Sequence, residues 1–313
     1  MTFNDPLLVV IAGPTAVGKT PFGIELAGTC STEIISADSR QFYREMKIGT
    51  AAPSREELAK VPHHFVHHLS IHETYNVSRF EADALALLDN LFDKHRIAVM
   101  VGGSGLYIDA VCRGIDHLPD PDPVIRNDLK ELLSVSGIEA LRDELYKSDP
   151  EYAKVVDLAN PARLLRALEV CRATGVPYST LRSNKSKQRP FRILKLALEL
   201  PRDLLYERID NRVDRMLENG LFEEALALYP QRHLNALNTV GYRELFDHFE
   251  GLTSLEYAVT KIKTNSRRYA KRQLTWFKKD QDYKWFMPDD IGRVLELPEC
   301  KMQKANIKIK NQL

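Results

Sequence analysis

The stretch Leu7-Leu8-Val9-Val10-Ile11-Ala12-Gly13-Pro14-Thr15-Ala16-Val17-Gly18-Lys19-Thr20 decides the fold. It opens as a continuous apolar run, rich in β-branched side chains and closed by Gly13-Pro14, which reads as a strand buried on both faces and therefore as a member of a parallel sheet. From Gly13 onward it matches G-x-x-x-x-G-K-[ST] in full, ahead of the amphipathic Phe22 to Ala27. Glycines let the chain curl so that successive amides and the following helix N-terminus face an anion. Gly13, Pro14, Thr15, Ala16, Val17, Gly18, Lys19 and Thr20 are thus a candidate diphosphate or triphosphate site, with Lys19 adding a point charge and Thr20 able to ligate Mg²⁺.

Working outward, Glu33 to Ser36 and Ile97 to Val101 repeat the buried-strand pattern, and helical stretches such as Phe80 to Asp93 separate them. This alternation predicts an α/β fold: a parallel sheet of the P-loop nucleotide-binding type flanked by helices. After Gly114 the texture changes. Leu118-Pro119-Asp120-Pro121-Asp122-Pro123 reads as a stiff acidic connector, and the chain then keeps a helical period through Ala173 with no convincing strand. The polar linker Ser183 to Pro190 closes this all-helical insertion, and Ile193 to Leu198 returns to the sheet. Helices are expected from Arg202 to Glu218, stopped by Asn219-Gly220, and from about Ser254 to Lys279, with a last strand at Tyr283 to Met287. The expected organisation is a core in two parts, 1–115 and 191–300, an insertion at 116–190, and a polar basic tail at 301–313.

Composition narrows the class. Of 313 residues, 44% are hydrophobic and 28% charged, which excludes collagen-like and wholly disordered chains. No apolar run reaches membrane-spanning length and the start lacks the marks of a signal peptide, so a cytoplasmic protein is expected. Cys30, Cys112, Cys171 and Cys300 are scattered, form no CxxC pair, and are read as reduced and structural. With 44 basic and 43 acidic residues, bulk charge draws no polyanion, yet Lys261 to Lys279 carries eight cations and no acid.

A phosphate loop does not name a reaction. The chain lacks the Asn-Lys-x-Asp that reads guanine, which argues against a GTPase. The strand Ile97 to Val101 runs into Gly102-Gly103-Ser104-Gly105 instead of the acid a hydrolysing ATPase uses to hold Mg²⁺, which argues against a motor. The strand ending at Ser36 runs into Ala37-Asp38-Ser39-Arg40-Gln41, so a parallel sheet puts Asp38 at its carboxyl edge beside the loop. There it could take a proton from an acceptor, although taken alone it is equally a helix N-cap.

Several motifs together resemble the tRNA dimethylallyltransferases, also called tRNA isopentenyltransferases or IPP transferases. They are the phosphate loop, Ile35 to Tyr43, Ile48-Gly49-Thr50-Ala51, Val101 to Tyr107, Arg166 to Val170, Val240-Gly241-Tyr242-Arg243-Glu244 and Arg267 to Phe277. The resemblance implies transfer of a dimethylallyl group from dimethylallyl diphosphate to the N6 amine of the adenosine just 3′ of the anticodon, position 37, in tRNAs reading codons that begin with U. The loop then grips a diphosphate leaving group, with Mg²⁺ as cofactor. By the same resemblance the catalytic residues are Asp38 as base, Thr15 near the departing bridging oxygen, and Arg212 on the diphosphate. It also implies contacts to the tRNA anticodon stem-loop from Asp38, Ser39, Arg40 and Gln41, from Ser104 and Arg126, from Ala162, Arg163, Leu164, Leu165 and Arg166, and from Asn238, Thr239, Val240, Gly241, Tyr242 and Arg243. Two departures stand out: Ser104 where threonine is common, which keeps a hydroxyl, and Ala52 where lysine often follows Gly-Thr-Ala. A monomer is expected. An adenylate prenyltransferase, or a small-molecule kinase with ATP in the loop, is the alternative.

Projecting the helix near Ser254 to Lys279 at about 100° per residue sets Val259, Ile262, Tyr269, Trp276 and Phe277 on one side. Lys261, Arg268, Arg272 and Lys279 share the opposite stripe, with Arg267, Lys271 and Lys278 beside it. Arg268, Lys271 and Arg272 are therefore further candidate RNA contacts. The histidines of Pro62-His63-His64-Phe65-Val66-His67-His68 have metal-like i, i+4 spacing but no Cys or convincing acid to complete a set, and are read as structural.

Overall fold

The computed structural model describes residues 5–116, 118–120, 122–183 and 185–300, which leaves Pro121 of the connector, Asn184 of the linker and the 301–313 tail outside the described residues. The chain forms two compact units, Met1–Cys112 with Arg189–Leu313 and Arg113–Gln188, against the 116–190 insertion expected from composition.

The larger unit is built on a six-stranded sheet in the order β3-β2-β4-β1-β5-β6. The strands are β1 (Leu7–Ala12), β2 (Ile34–Ser36), β3 (His63–His64), β4 (Ile97–Gly102), β5 (Arg192–Leu198) and β6 (Lys284–Phe286), all parallel. Alternate residues of β1 serve two cores. Leu8, Val10 and Ala12 join Ile35, Ala98, Met100 and Ala197 on one face, while Leu7, Val9 and Ile11 join Ile34, Ile97, Val99 and Leu196 on the other. Both faces are covered, which is why these strands read as unbroken apolar runs. A lysine inside β5, Lys195, is tolerated because its ammonium meets Asp280 at 2.7 Å.

Helices α1 (Lys19–Thr29), α2 (Arg55–Lys60), α3 (Val77–Phe92) and α4 (Gly105–Arg113) lie between the early strands. β3 has no sequence signal: its two histidines carry no strand pattern of their own, and their pairing with Ile34 and Ile35 is set by the edge that β2 leaves open. The chain passes from β1 toward β2 and β3 on one side and toward β5 and β6 on the other, so the switch point, where α/β sheets bind ligands, is the carboxyl end of β1.

The smaller unit has helices and no strand among its described residues: α5 (Pro123–Ser148), α6 (Pro150–Ala153), α7 (Pro161–Thr174) and α8 (Tyr178–Leu181). Asp122 and Asn160 cap α5 and α7 through the amides of Val124 and Arg163, each followed by proline at the first helical position. Gly137, at φ 74°, breaks α5 so that its two arms can both pack on α7. Leu129, Leu141, Leu145, Leu164 and Leu168 fill this unit's own core.

After β5, the larger unit continues with α9 (Arg202–Glu218), α10 (Leu221–Leu228), α11 (Tyr242–Phe249), α12 (Leu255–Phe277) and, after β6, α13 (Ile291–Leu295). All four cysteines are buried free thiols. Among the described residues no helix is long and apolar enough to cross a membrane.

Candidate active site

A cavity of about 1040 Å³ lies at the switch point, and Thr15, Gly18, Lys19, Thr20, Asp38 and Arg212 are among its lining. The phosphate loop bends where L side chains resist: Gly13 has φ 148°, and a Cβ there would sit 2.8 Å from the Leu198 carbonyl oxygen of β5. Lys19, in the first turn of α1, donates to the Pro14 carbonyl at 2.7 Å. Burial pushes its ammonium down to about 8, opposed by the charge of Asp38 and assisted by that of Arg212.

α9 delivers the second cation. Arg208 donates to the Val17 carbonyl at 3.4 Å, and Arg212, one turn on, donates from Nη1 to the Thr15 hydroxyl at 2.9 Å. Because Thr15 Oγ1 accepts that bond, its own proton is left to point at an incoming oxygen. Burial holds the Arg212 guanidinium below its ordinary value, with Asp38 the main opposing charge.

Gln273 of α12 has a positioning role that sequence reasoning missed. Its Oε1 accepts from the Thr15 amide at 2.8 Å and its Nε2 donates to the Gly103 carbonyl at 2.9 Å, tying the phosphate loop to the end of β4. Gly103 has no side chain because that amide occupies the space a Cβ would need. Its neighbour Ser104 accepts from the Ser39 amide at 3.0 Å. Tyr269, also on α12, sits by Ser104 and Asp38; burial and the Asp38 charge push its phenol above the ordinary tyrosine range. Asp38 Oδ1 accepts from the Arg40 amide at 3.2 Å and the carboxylate lines the cavity. The lining also includes the apolar side chains of Ile48, Val213, Met216, Val240 and Ile262 among further polar and charged ones.

The donor set suits a small hard cation. The Thr20 hydroxyl and Asp38 carboxylate line one cavity, and among the described residues no group of three His, Cys, Asp or Glu side chains could form an all-protein cage. Magnesium bound through one or two protein oxygens plus substrate phosphates has this requirement.

Several residues expected at an RNA surface have other partners. The Tyr242 side chain is buried in the core and its hydroxyl donates to Glu224 at 2.7 Å; Leu164 is buried in the smaller unit's core. Their side chains are closed to RNA. Gln41 donates to the carbonyls of Thr50 and Ala51, and Arg40 donates to those of Asn235, Ala236 and Asn238. Arg40 therefore joins the β2 edge to the 238–243 segment, of which Thr239, Val240 and Gly241 line the cavity. In the smaller unit Arg126 and Arg166 both pair with buried Glu169, at 2.8 and 3.5 Å, while Ala162 and Arg163 are exposed and Leu165 is half-buried.

On α12, Arg268, Lys271 and Arg272 are exposed with no acidic partner among the described residues, whereas Arg267 pairs with Asp210 at 3.3 Å and Lys278 with Glu199 at 3.6 Å. Two of the expected cations are thus neutralised by acids that the helical projection does not include. Trp276, placed on the apolar side by projection, is 42% exposed and donates from Nε1 to Asp109 at 2.9 Å. The histidines are dispersed: His63 contacts the Val61 carbonyl, His64 the Glu33 carboxylate and His68 the rings of Phe42 and Tyr75, while His67 lines the cavity. Ala52 lines it too, with Lys47 and Arg55 supplying cations nearby.

Glu224 has no sequence signal at all. From α10 its carboxylate accepts from the amides of Lys47, Ile48 and Gly49 as well as from Tyr242, pinning the cavity's outer loop. Glu224→Ala should lower stability by about 2–3 kcal/mol, since these donors lose a charged acceptor; urea unfolding measures it.

These features define an α/β core with a phosphate loop, two half-buried cations and the Asp38 carboxylate at a single sheet edge. The comparisons with known proteins name the family. The IPP transferase family model matches residues 41–280. The tRNA dimethylallyltransferase of Christiangramia forsetii is 54% identical, with 91% of this chain and 95% of that protein covered, and tRNA dimethylallyltransferase 1 of Phocaeicola vulgatus is 48% identical, covering 92% and 96%. Among solved structures, the tRNA isopentenylpyrophosphate transferase of Bacillus halodurans superposes with a TM-score of 0.68 at 36% identity, covering 96% of this chain and 99% of that one. A eukaryotic dimethylallyltransferase acting on tRNA gives 0.75 at 26% identity, covering 98% and 80%. The chain belongs to the IPP transferase family.

Proposed function

We propose that this chain transfers the dimethylallyl group of dimethylallyl diphosphate to N6 of adenosine 37 in tRNAs reading codons that begin with U. It works as a cytoplasmic monomer. The observation that carries this reading is that one cavity holds Lys19 and Arg212, both bonded to the phosphate loop, together with the Asp38 carboxylate and apolar side chains such as Val213 and Met216. These are the groups that an allylic diphosphate and an amine acceptor need.

In the reaction the C1–O bond to diphosphate breaks while a bond forms between C1 and N6, and a proton leaves the nitrogen. Negative charge grows on the bridging oxygen, where the Thr15 hydroxyl, oriented by Arg212, donates a hydrogen bond while Lys19 and the loop amides hold the outer oxygens. Asp38 accepts the N6 proton as the amine becomes cationic. Thr20 would hold Mg²⁺, which when bound neutralises charge on the leaving diphosphate. The adenosine must leave its stack to reach this cavity. The tRNA surface is assigned to Ser39, Ser104, the 238–243 backbone with Arg243, the exposed Arg268, Lys271 and Arg272, and Arg126, Ala162, Arg163, Leu165 and Arg166 of the smaller unit. The helical unit is thereby a tRNA contact.

The test is the diphosphate balance. One diphosphate should be released per tRNA modified when dimethylallyl diphosphate, Mg²⁺ and unmodified tRNA are supplied, and none when ATP replaces the donor. ATP-dependent phosphorylation of a metabolite, or transfer to free adenylate with no dependence on salt, would overturn the reading in favour of a kinase or an adenylate prenyltransferase, since tRNA binding weakens steeply with salt.

Lys19 makes a pH prediction. The diphosphate binds its ammonium form, and in the free protein that form is lost through about pH 8. Donor affinity should be level below that value and fall toward about tenfold per pH unit above it. Lys19→Arg should bind the donor with no such fall over the same range; donor titrations from about pH 7 to 9 distinguish the two profiles.

A further inference from the structure

α9 leads away from the phosphate loop along the catalytic cavity. Arg208, Arg212 and Met216 succeed one another a turn apart on it: Arg208 reaches the Val17 carbonyl at 3.4 Å, Arg212 reaches the Thr15 hydroxyl at 2.9 Å, and Met216 lines the cavity with Arg212 and Val213. We propose that Met216 sets the length of prenyl chain the donor can carry, admitting a five-carbon tail and excluding a ten-carbon one. This inference rests on the reading of the protein as a prenyltransferase.

Spacing gives the ruler its scale. Side chains on a helix lean alike toward its start, so Met216 stays one turn, about 6 Å, beyond Arg212 along α9. An isoprene unit adds four chain atoms, about 5 Å at ordinary bond lengths. The adenine must approach Asp38, which follows β2, and the α9 side of the cavity is left to the tail. With the bridging oxygen at the Thr15 hydroxyl, a dimethylallyl tail laid along α9 ends at Met216, and the second unit of a geranyl tail falls on it.

Packing singles out this side chain. Val213, Met216, Leu221, Val240 and Ile48 belong to one apolar cluster and all line the cavity. Val213 and Leu221 are buried in that cluster, whereas Met216 is half-buried and its flexible, unbranched thioether fills the gap between them. The wall behind is closed: Ile48 Cδ1 lies 3.7 Å from where a Cβ on Gly220 would sit, and Glu224 holds the amides of Lys47, Ile48 and Gly49. Arg215 and Asn219 also line the cavity, and a longer tail turned against them would desolvate polar groups. The bonds made and broken are the same for either donor: C1–O breaks, C1–N6 forms and a proton leaves N6. Selection between them therefore lies in the fit of the tail.

The test compares dimethylallyl and geranyl diphosphate in the presence of Mg²⁺, first as donor binding without tRNA and then as transfer read by nucleoside mass. Wild-type protein should prefer the shorter donor by about 10²-fold or more, and Met216→Ala should cut that preference by about 10- to 200-fold, chiefly by gaining the longer donor. Met216→Leu, close in volume, should keep the wild-type preference, and Met216→Phe should weaken binding of dimethylallyl diphosphate while leaving that of inorganic diphosphate unchanged. Wild-type protein that takes both donors equally, or a Met216→Ala protein that loses both equally, would overturn the ruler. A preference in binding that Met216→Ala relaxes, with no transfer of either tail by wild-type protein, would keep the ruler and sink the prenyltransferase reading; dimethylallyl transfer with a preference indifferent to residue 216 would do the reverse.

Discussion

Arg212→Ala is expected to lower kcat/KM for dimethylallyl diphosphate by about 10²–10³-fold, the cost of removing one preorganised donor from a developing oxyanion. The guanidinium acts twice, as a charge over the phosphate loop and as the donor that turns the Thr15 hydroxyl, 2.9 Å away, toward the bridging oxygen. Its loss should therefore exceed that of Thr15→Val, which removes the hydroxyl and leaves the charge. Stem-loop binding should be unchanged, because the α9 side chain faces the donor end of the cavity. Steady-state kinetics with the donor varied, paired with stem-loop titration, checks both parts. A loss below fivefold would remove Arg212 from the diphosphate site.

Asp38→Asn is the second large effect, with kcat expected to fall about 10²-fold or more, the usual contribution of a general base. Asparagine keeps an oxygen to accept from the Arg40 amide, so the β2 edge and its link to the 235–238 carbonyls should stay formed. The variant should bind stem-loop and donor as wild type does and fail at transfer. Turnover that survived the change would take the proton-accepting role from Asp38 and leave it as a cap.

The residues differ in how far the sequence exposes their roles. The β1 strand and the phosphate loop are legible together because a buried apolar run, a turn with obligatory glycine and a helix start each have a local physical signature. α9 is legible to its last residue, since Asn219-Gly220 stops it and Gly220 takes φ 96°. Arg212 is not legible in that way: nothing local distinguishes it from Arg208 or Arg215, and the resemblance supplied it. Gln273 and Tyr269 stood inside a recognised motif, yet a polar residue within a helix reads as surface until the loop packed on it is known. Tyr242 failed in the opposite sense. Its motif neighbours line the cavity, but a Cβ at Gly49 would meet its ring at 2.6 Å, so the tyrosine is a pillar under the outer loop. The basic face of α12 was drawn from periodicity, which orders residues around an axis and says nothing of Asp210 on α9, the partner that takes Arg267 off that face.

The most direct measurement of the central claim is the mass of the nucleosides recovered from unmodified tRNA after incubation with the protein, Mg²⁺ and dimethylallyl diphosphate. A single C5H8 increment on adenosine, confined to the position 3′ of the anticodon and absent with Asp38→Asn, is the predicted result. An unchanged adenosine in tRNA that is nevertheless bound, across tRNAs reading codons that begin with U, would contradict it.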